Sequence, residues 1–134
     1  MPPYRASRHA ETRILVVDDQ ADIVDLLVDF LSKDPRRFKI ETATDGYEAL
    51  IKVGEFKPSI LILDARMPLL DGIEVCRRLK GNPRTWAMRI LGVTGYPDMI
   101  PALLAAGADA CLPKPVELAQ LREELERALA SLEK

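Results

Sequence analysis

The sequence predicts an α/β domain of five strand–helix units, with one parallel sheet between two layers of helices. Three observations predict it. Short apolar runs recur along the chain, each closed by a polar residue. Between them lie segments whose apolar residues fall at i, i+3, i+4 and i+7, the spacing of one helix face. Proline, glycine and asparagine separate the two kinds of segment. Strict alternation of strand and helix needs crossover connections, so the strands run parallel. A chain of 134 residues suits a single domain.

Residues 1–13 read as a flexible arm, with Pro2, Pro3, Arg5, Arg8 and His9 and no period. Order begins at Ile14-Leu15-Val16-Val17, a buried strand ending in Asp18-Asp19. Ile23, Leu26, Leu27, Phe30 and Leu31 form the inward stripe of the first helix, with Asp22, Asp25 and Asp29 outside it. Asp34-Pro35 stops that helix. Phe38 to Thr42 alternates apolar and polar, as a half-buried edge strand does. Asp45 caps a helix that turns Ala49, Leu50 and Val53 inward, and Lys57-Pro58 breaks it.

Ile60 to Leu63 is apolar throughout and ends at Asp64. Gly72 opens a helix with Ile73, Cys76 and Leu79 in phase; Gly81-Asn82-Pro83 closes it. Ile90 to Val93 is a further buried strand, ending at Thr94-Gly95. Asp98 is expected to cap a short helix holding Leu103 and Leu104, with Pro101 in its first turn and Gly107 after it. Ala110 to Leu112 is the fifth strand, and Leu118, Leu121, Leu125 and Leu129 mark the last helix. Strands one, three and four are apolar throughout and therefore central; strand two alternates and belongs at an edge. That pattern fits a flavodoxin-like doubly wound (βα)5 sheet of order 2-1-3-4-5.

Composition narrows the function. Hydrophobic residues make up 48% and charged residues 30%, which supports a folded core rather than disorder. A net charge of −2 argues against a domain that grips nucleic acid by neutralising phosphates. No apolar stretch reaches the ~18 residues of a membrane span, and residues 1–13 lack the apolar centre of a signal peptide. Two cysteines, Cys76 and Cys111, are too few for a disulfide scaffold. A cytoplasmic protein with reduced thiols is expected.

In an open parallel sheet the ligand site lies beyond the carboxyl ends of the strands. Strand one ends there in Asp18 and Asp19, strand three in Asp64 and strand four in Thr94; Lys114-Pro115 follows strand five. Three carboxylates brought to one rim repel each other, and a divalent cation relieves that repulsion. Hard oxygen ligands favour Mg²⁺, which binds through a few carboxylates plus phosphate. The Thr94 hydroxyl and Lys114 ammonium are donors suited to phosphoryl oxygens. Asp64 lies between them and can act as a carboxylate nucleophile, giving an aspartyl phosphate. Taken singly, each residue is equally a turn, cap or surface residue; the set at four strand ends is what points to phosphoryl chemistry.

The sequence resembles the receiver domain of two-component response regulators. The matching pieces are Val16-Val17-Asp18-Asp19, Leu63 to Pro68 with Asp71-Gly72, Val93-Thr94-Gly95, Ala105 to Ala108, and Pro113-Lys114-Pro115. The resemblance covers residues 13 to about 133, and the expected domain spans 14–134. It implies that Asp64 accepts a phosphoryl group from a histidine of a sensor kinase or phosphotransfer protein. It implies Mg²⁺ held by Asp18, Asp19, Asp64 and the backbone carbonyl of Arg66. Thr94 and Lys114 would hold the phosphoryl oxygens, and Lys114–Pro115 would be a cis peptide. Thr94 moving toward the phosphoryl group would remodel the face of helix four, strand five and helix five. Output would pass through an unidentified protein target, without direct contact to nucleic acid or membrane, from a monomer or weak homodimer. Such a domain is not an enzyme acting on an external substrate.

Three positions are distinctive. Cys111 stands three before Lys114, where similar proteins commonly carry Tyr or Phe, so aromatic signalling from that position is lost. Arg66 and Tyr96, two residues after Asp64 and Thr94, are bulky and expected to slow loss of the phosphoryl group to water. Competing readings are a dehalogenase-like phosphohydrolase, disfavoured because Arg66 stands where a second Asp is needed, and a phosphorylation-independent binding module. A receiver cut from a longer DNA-binding regulator or hybrid kinase is a further alternative. A histidine phosphotransfer protein is excluded because the single histidine, His9, lies in the arm.

Overall fold

The structure is a computed structural model that describes residues 12–133. The expected arm, 1–13, and with it His9, lies outside the described residues apart from Thr12 and Arg13. Thr12 is buried and Arg13 opens the first strand. The strands are β1 (Arg13–Val17), β2 (Lys39–Ala43), β3 (Ile60–Asp64), β4 (Arg89–Thr94) and β5 (Ala110–Pro113). The helices are α1 (Ala21–Ser32), α2 (Gly46–Phe56), α3 (Gly72–Lys80), α4 (Ile100–Ala105) and α5 (Leu118–Leu132). All strand pairs are parallel, in the order β2-β1-β3-β4-β5, as the apolar and alternating patterns require.

Side chains of the central strands alternate between two cores, because successive residues of a strand face opposite ways. Ile14, Val16, Ile60, Ile62, Leu91 and Val93 pack against Leu27 and Leu31 of α1 and Leu121, Leu125 and Leu129 of α5. Leu15, Val17, Leu61, Leu63 and Ile90 face α2, α3 and α4 through Val53, Val75, Leu79 and Leu103. Both faces of β1, β3 and β4 are therefore covered. Helix ends follow local chemistry. Asp45 and Asp71 accept hydrogen bonds from the Glu48 and Glu74 amides, capping α2 and α3. Lys57 ends α2 in the left-handed conformation (φ 54°), and Gly107 follows α4 at φ 116°.

Some expectations are corrected. Leu26 and Leu118 are 38% and 39% exposed, and Leu104 is 44% exposed, so the inward stripes of α1, α4 and α5 are narrower than their leucines suggest. Asp98 caps nothing: it lies within a 3₁₀ turn, Pro97–Met99, and neither that turn nor α4 has a side-chain cap. The Pro97 ring starts the turn earlier than Asp98 could cap it. Phe38 is buried just before β2 instead of within it.

Candidate functional site

The carboxyl ends of β1, β3 and β4 meet in one cleft. Asp18 follows β1 and is fully buried; its amide donates to Ala43 O at 3.1 Å, so β2 holds the backbone in place. Gln20 N–H donates to Asp18 Oδ1 at 2.9 Å. Asp64 is the last residue of β3 and is also buried. Its Oδ1 accepts the Arg66 amide at 3.3 Å. The Asp64 carbonyl is pressed by α3: a Cβ on Gly72 would stand 2.0 Å from Asp64 O. Only glycine allows that approach, and the Gly72 amide donates to Ala65 O at 2.9 Å.

Lys114 reaches in from β5. Its amide donates to Thr94 O at 2.8 Å, and Lys114–Pro115 is the cis peptide that was expected. Its Nζ lies 2.9 Å from Asp18 Oδ2 and 3.3 Å from Asp64 Oδ2, and donates to Gln20 Oε1 at 2.7 Å. One carboxylate oxygen from each of Asp18, Asp19 and Asp64 lies within 4.8 Å of the others. Asp18 Oδ2 is buried and meets the Lys114 ammonium at 2.9 Å. Three carboxylates grouped this closely offer an all-oxygen donor set of the kind a hard cation takes.

A response regulator receiver domain model matches residues 14–126. The chain belongs to the response regulator receiver family. The response regulator MprA of Mycobacterium tuberculosis is 41% identical over 109 residues, 81% of this chain and 46% of its own length. A protein-glutamate methylesterase/protein-glutamine glutaminase of Methanospirillum hungatei is 38% identical over 114 residues, 33% of its length. The chain thus spans about half the length of MprA or less of such relatives. Among solved structures, the signal receiver domain of a DNA binding response regulator from Colwellia psychrerythraea superposes with a TM-score of 0.83 at 27% identity, covering 90% of this chain and 99% of that one. A response regulator described as putative from Chloroflexus aurantiacus gives 0.82 at 30% identity, with 90% and 98% covered.

The electrostatics of this receiver follow from burial. Burial, then the charge of Asp18, raises Asp64 from an ordinary 3.8 to about 6; the Arg66 amide and Lys114 oppose the rise. At neutral pH Asp64 is still mostly ionised. Burial works against the Lys114 ammonium, but its contacts with Asp18 and Asp64 outweigh burial and hold its pKa above the ordinary lysine value. Cys111 on β5 is half-buried, and burial followed by the Asp64 charge pushes its thiol up to about 11. That keeps it protonated, the form in which a thiol is a poor nucleophile.

Thr94 stands apart from the other expected site residues. It ends β4 and is fully buried, and its hydroxyl accepts the Tyr96 amide at 3.0 Å. Among the described residues, no hydrogen bond joins that hydroxyl to Asp64 or Lys114. The cleft is walled by Arg66 and Tyr96, and the Arg66 guanidinium lies 4.6 Å from the Tyr96 ring centroid. Sequence reading singled out both residues but not their contact. It missed Gln20, whose signal was limited to its place beside the acidic pair; its partner Lys114 is 94 residues away. Among the described residues no helix is long and apolar enough to cross a membrane.

Proposed function

We propose that this receiver is a Mg²⁺-dependent phosphoacceptor, charged on Asp64 by a sensor histidine kinase or a histidine phosphotransfer protein. The observation that carries this reading is the convergence of Asp18, Asp19 and Asp64 with the Lys114 ammonium between Asp18 and Asp64. In the transfer, an Asp64 carboxylate oxygen attacks phosphorus and a P–O bond forms. The P–N bond to the partner's histidine breaks, and the ring nitrogen keeps the electron pair and takes up a proton. Asp18, Asp19, Asp64 and the Arg66 carbonyl would hold Mg²⁺. When bound, the ion neutralises charge on the phosphoryl oxygens. Lys114 supplies a second positive charge from its place between Asp18 and Asp64. Thr94 gives up its bond to the Tyr96 amide and turns toward the new phosphoryl oxygens, carrying its loop with it. The output surface is the face of α4, β5 and α5, read by a downstream protein.

The Arg66–Tyr96 stack covers the approach to Asp64 and slows hydrolysis of the acyl phosphate. Replacing both, Arg66→Asn with Tyr96→Ala, should shorten the phosphoryl lifetime; an unchanged hydrolysis rate overturns that part. The main reading is tested by intact-protein mass after incubation with Mg²⁺ and acetyl phosphate, beside Asp64→Ala. A gain of one phosphoryl mass that needs Mg²⁺ and is absent in Asp64→Ala is expected. A gain that persists in Asp64→Ala, or no gain from either acetyl phosphate or a phosphorylated histidine donor, refutes it.

A further inference from the structure

A second concavity lies at the opposite end of the sheet from Asp64. It is a groove of about 850 Å³ between the carboxyl ends of α2 and α3, below the starts of β3 and β4. Its floor is apolar, made by Leu50, Val53, Leu79, Met88 and Leu132. Two large apolar side chains stand beside it on the chain: Ile51, next to Leu50, is 60% exposed, and Trp86, between Thr85 and Ala87 of the wall, is 59% exposed. Exposed apolar surface joined to a concavity is characteristic of interaction sites.

The charge of the groove is one-sided. Lys57, Arg78 and Arg84 line it and no Asp or Glu does, in a chain whose net charge is −2. Arg78 is paired with Glu74 at 3.0 Å. The Lys57 and Arg84 side chains have no hydrogen bond or ion pair among the described residues.

Gly54 supplies an independent observation. It lies in α2, where glycine weakens a helix, and its backbone is not in the left-handed region. A Cβ there would meet nothing within 4 Å, so no contact inside the domain requires glycine. Gly54 lines the groove, and a bare backbone there leaves room for something to approach α2 closely.

We infer that this groove is a docking site for an acidic amphipathic segment of a partner protein. Its apolar side chains would cover Leu50, Val53 and Met88 and its carboxylates would meet Lys57 and Arg84. The chain's own residues 1–11 are a poorer occupant, because Arg5 and Arg8 repeat the sign of the rim. A second copy of the domain would bring the same cations against themselves. The site stands at the far end from Asp64 and does not depend on phosphoryl transfer.

Trp86 is the single tryptophan and stands between two residues of the groove wall, Thr85 and Ala87. The test titrates the protein with a synthetic amphipathic peptide of Glu, Leu and Phe, of roughly 15 residues so that a helix can form. The same peptide with Lys in place of Glu is the control. The Trp86 emission should shift with the acidic peptide alone, amide resonances of Leu50, Val53 and Met88 should move, and added salt should weaken both. Lys57→Gln with Arg84→Gln should weaken binding about tenfold. Gly54→Leu should block it while the thermal midpoint is kept or raised, since space around Gly54 is open and a helix glycine is removed. The same binding is expected in Asp64→Ala. Equal binding of both peptides, no binding of either, or shifts confined to α4, β5 and α5 overturns the proposal. So does an emission change caused by protein concentration alone, which assigns the groove to a second copy. Binding that appears only after removal of residues 1–11 assigns it to the chain's own N-terminus and overturns it as well.

Discussion

Replacing Asp64 by Asn should stabilise the metal-free protein, although it would remove the proposed phosphoacceptor. An unfolded Asp ionises near 3.8, whereas folded Asp64 ionises near 6. Between those values the folded state binds more protons, so stability falls as pH rises. The penalty is absent below about 3.8 and complete above about 6. At 1.36 kcal/mol per pH unit, the displacement corresponds to a ceiling of about 3 kcal/mol. The Asp64 carboxylate opens on a wet cleft beside exposed Asp19, so screening brings the expected gain to about 1–2 kcal/mol. Asn keeps an oxygen for the Arg66 amide, and Lys114 keeps Asp18. The assay is urea unfolding in EDTA, at pH 8 and again near pH 4. The variant should have the higher midpoint at pH 8, and the difference should shrink toward zero at pH 4. An Asn variant no more stable than the parent at pH 8, or a gain independent of pH, refutes the electrostatic account of the acidic cluster. Mg²⁺ at a hundred times its dissociation constant should stabilise the parent by about 2.7 kcal/mol. It should stabilise Asp64→Asn less.

Other substitutions probe the scaffold. Gly54→Ala should raise stability by about 0.5–1 kcal/mol, since it removes a helix glycine without a clash; a lower melting temperature contradicts this. Gly72→Ala should cost about 1–3 kcal/mol and weaken Mg²⁺ binding, because its Cβ would displace the Asp64 backbone. Unchanged denaturation and Mg²⁺ titrations would show that α3 can retreat freely. Burial raises both thiols to about 11, that of Cys76 also through Asp109 against the lowering pull of Lys80 and Arg77, and that of Cys111 also through Asp64. Iodoacetamide labelling of the folded protein should therefore be slow at pH 7.5 and rise about tenfold per pH unit up to pH ~10. Fast labelling of Cys111 at neutral pH would contradict this.

Much of the receiver is visible in its sequence because two short-range periods fix its elements. Continuous apolar runs at Ile14, Ile60 and Ile90 mark strands covered on both faces, and the alternation near Ile40 marks the edge. The order β2-β1-β3-β4-β5 follows from those patterns, and parallel strands bring Asp18, Asp64 and Thr94 to the same end. Leucine spacing alone overstates burial: Leu26 and Leu118 lie on the helical stripe, yet what each helix covers depends on how it tilts against the sheet. Distances between residues far apart in the chain were beyond sequence patterns. The Gln20–Lys114 bond, the Arg66–Tyr96 stack and the turning of the Thr94 hydroxyl toward Tyr96 depend on loop paths that no local period encodes. The basic groove is of the same kind, since Val53, Arg84 and Leu132 meet there only after three helices have packed. Local sequence set the strands, the helices and the acidic rim; tertiary packing decided which side chains touch across them, because those contacts arise where separate elements converge.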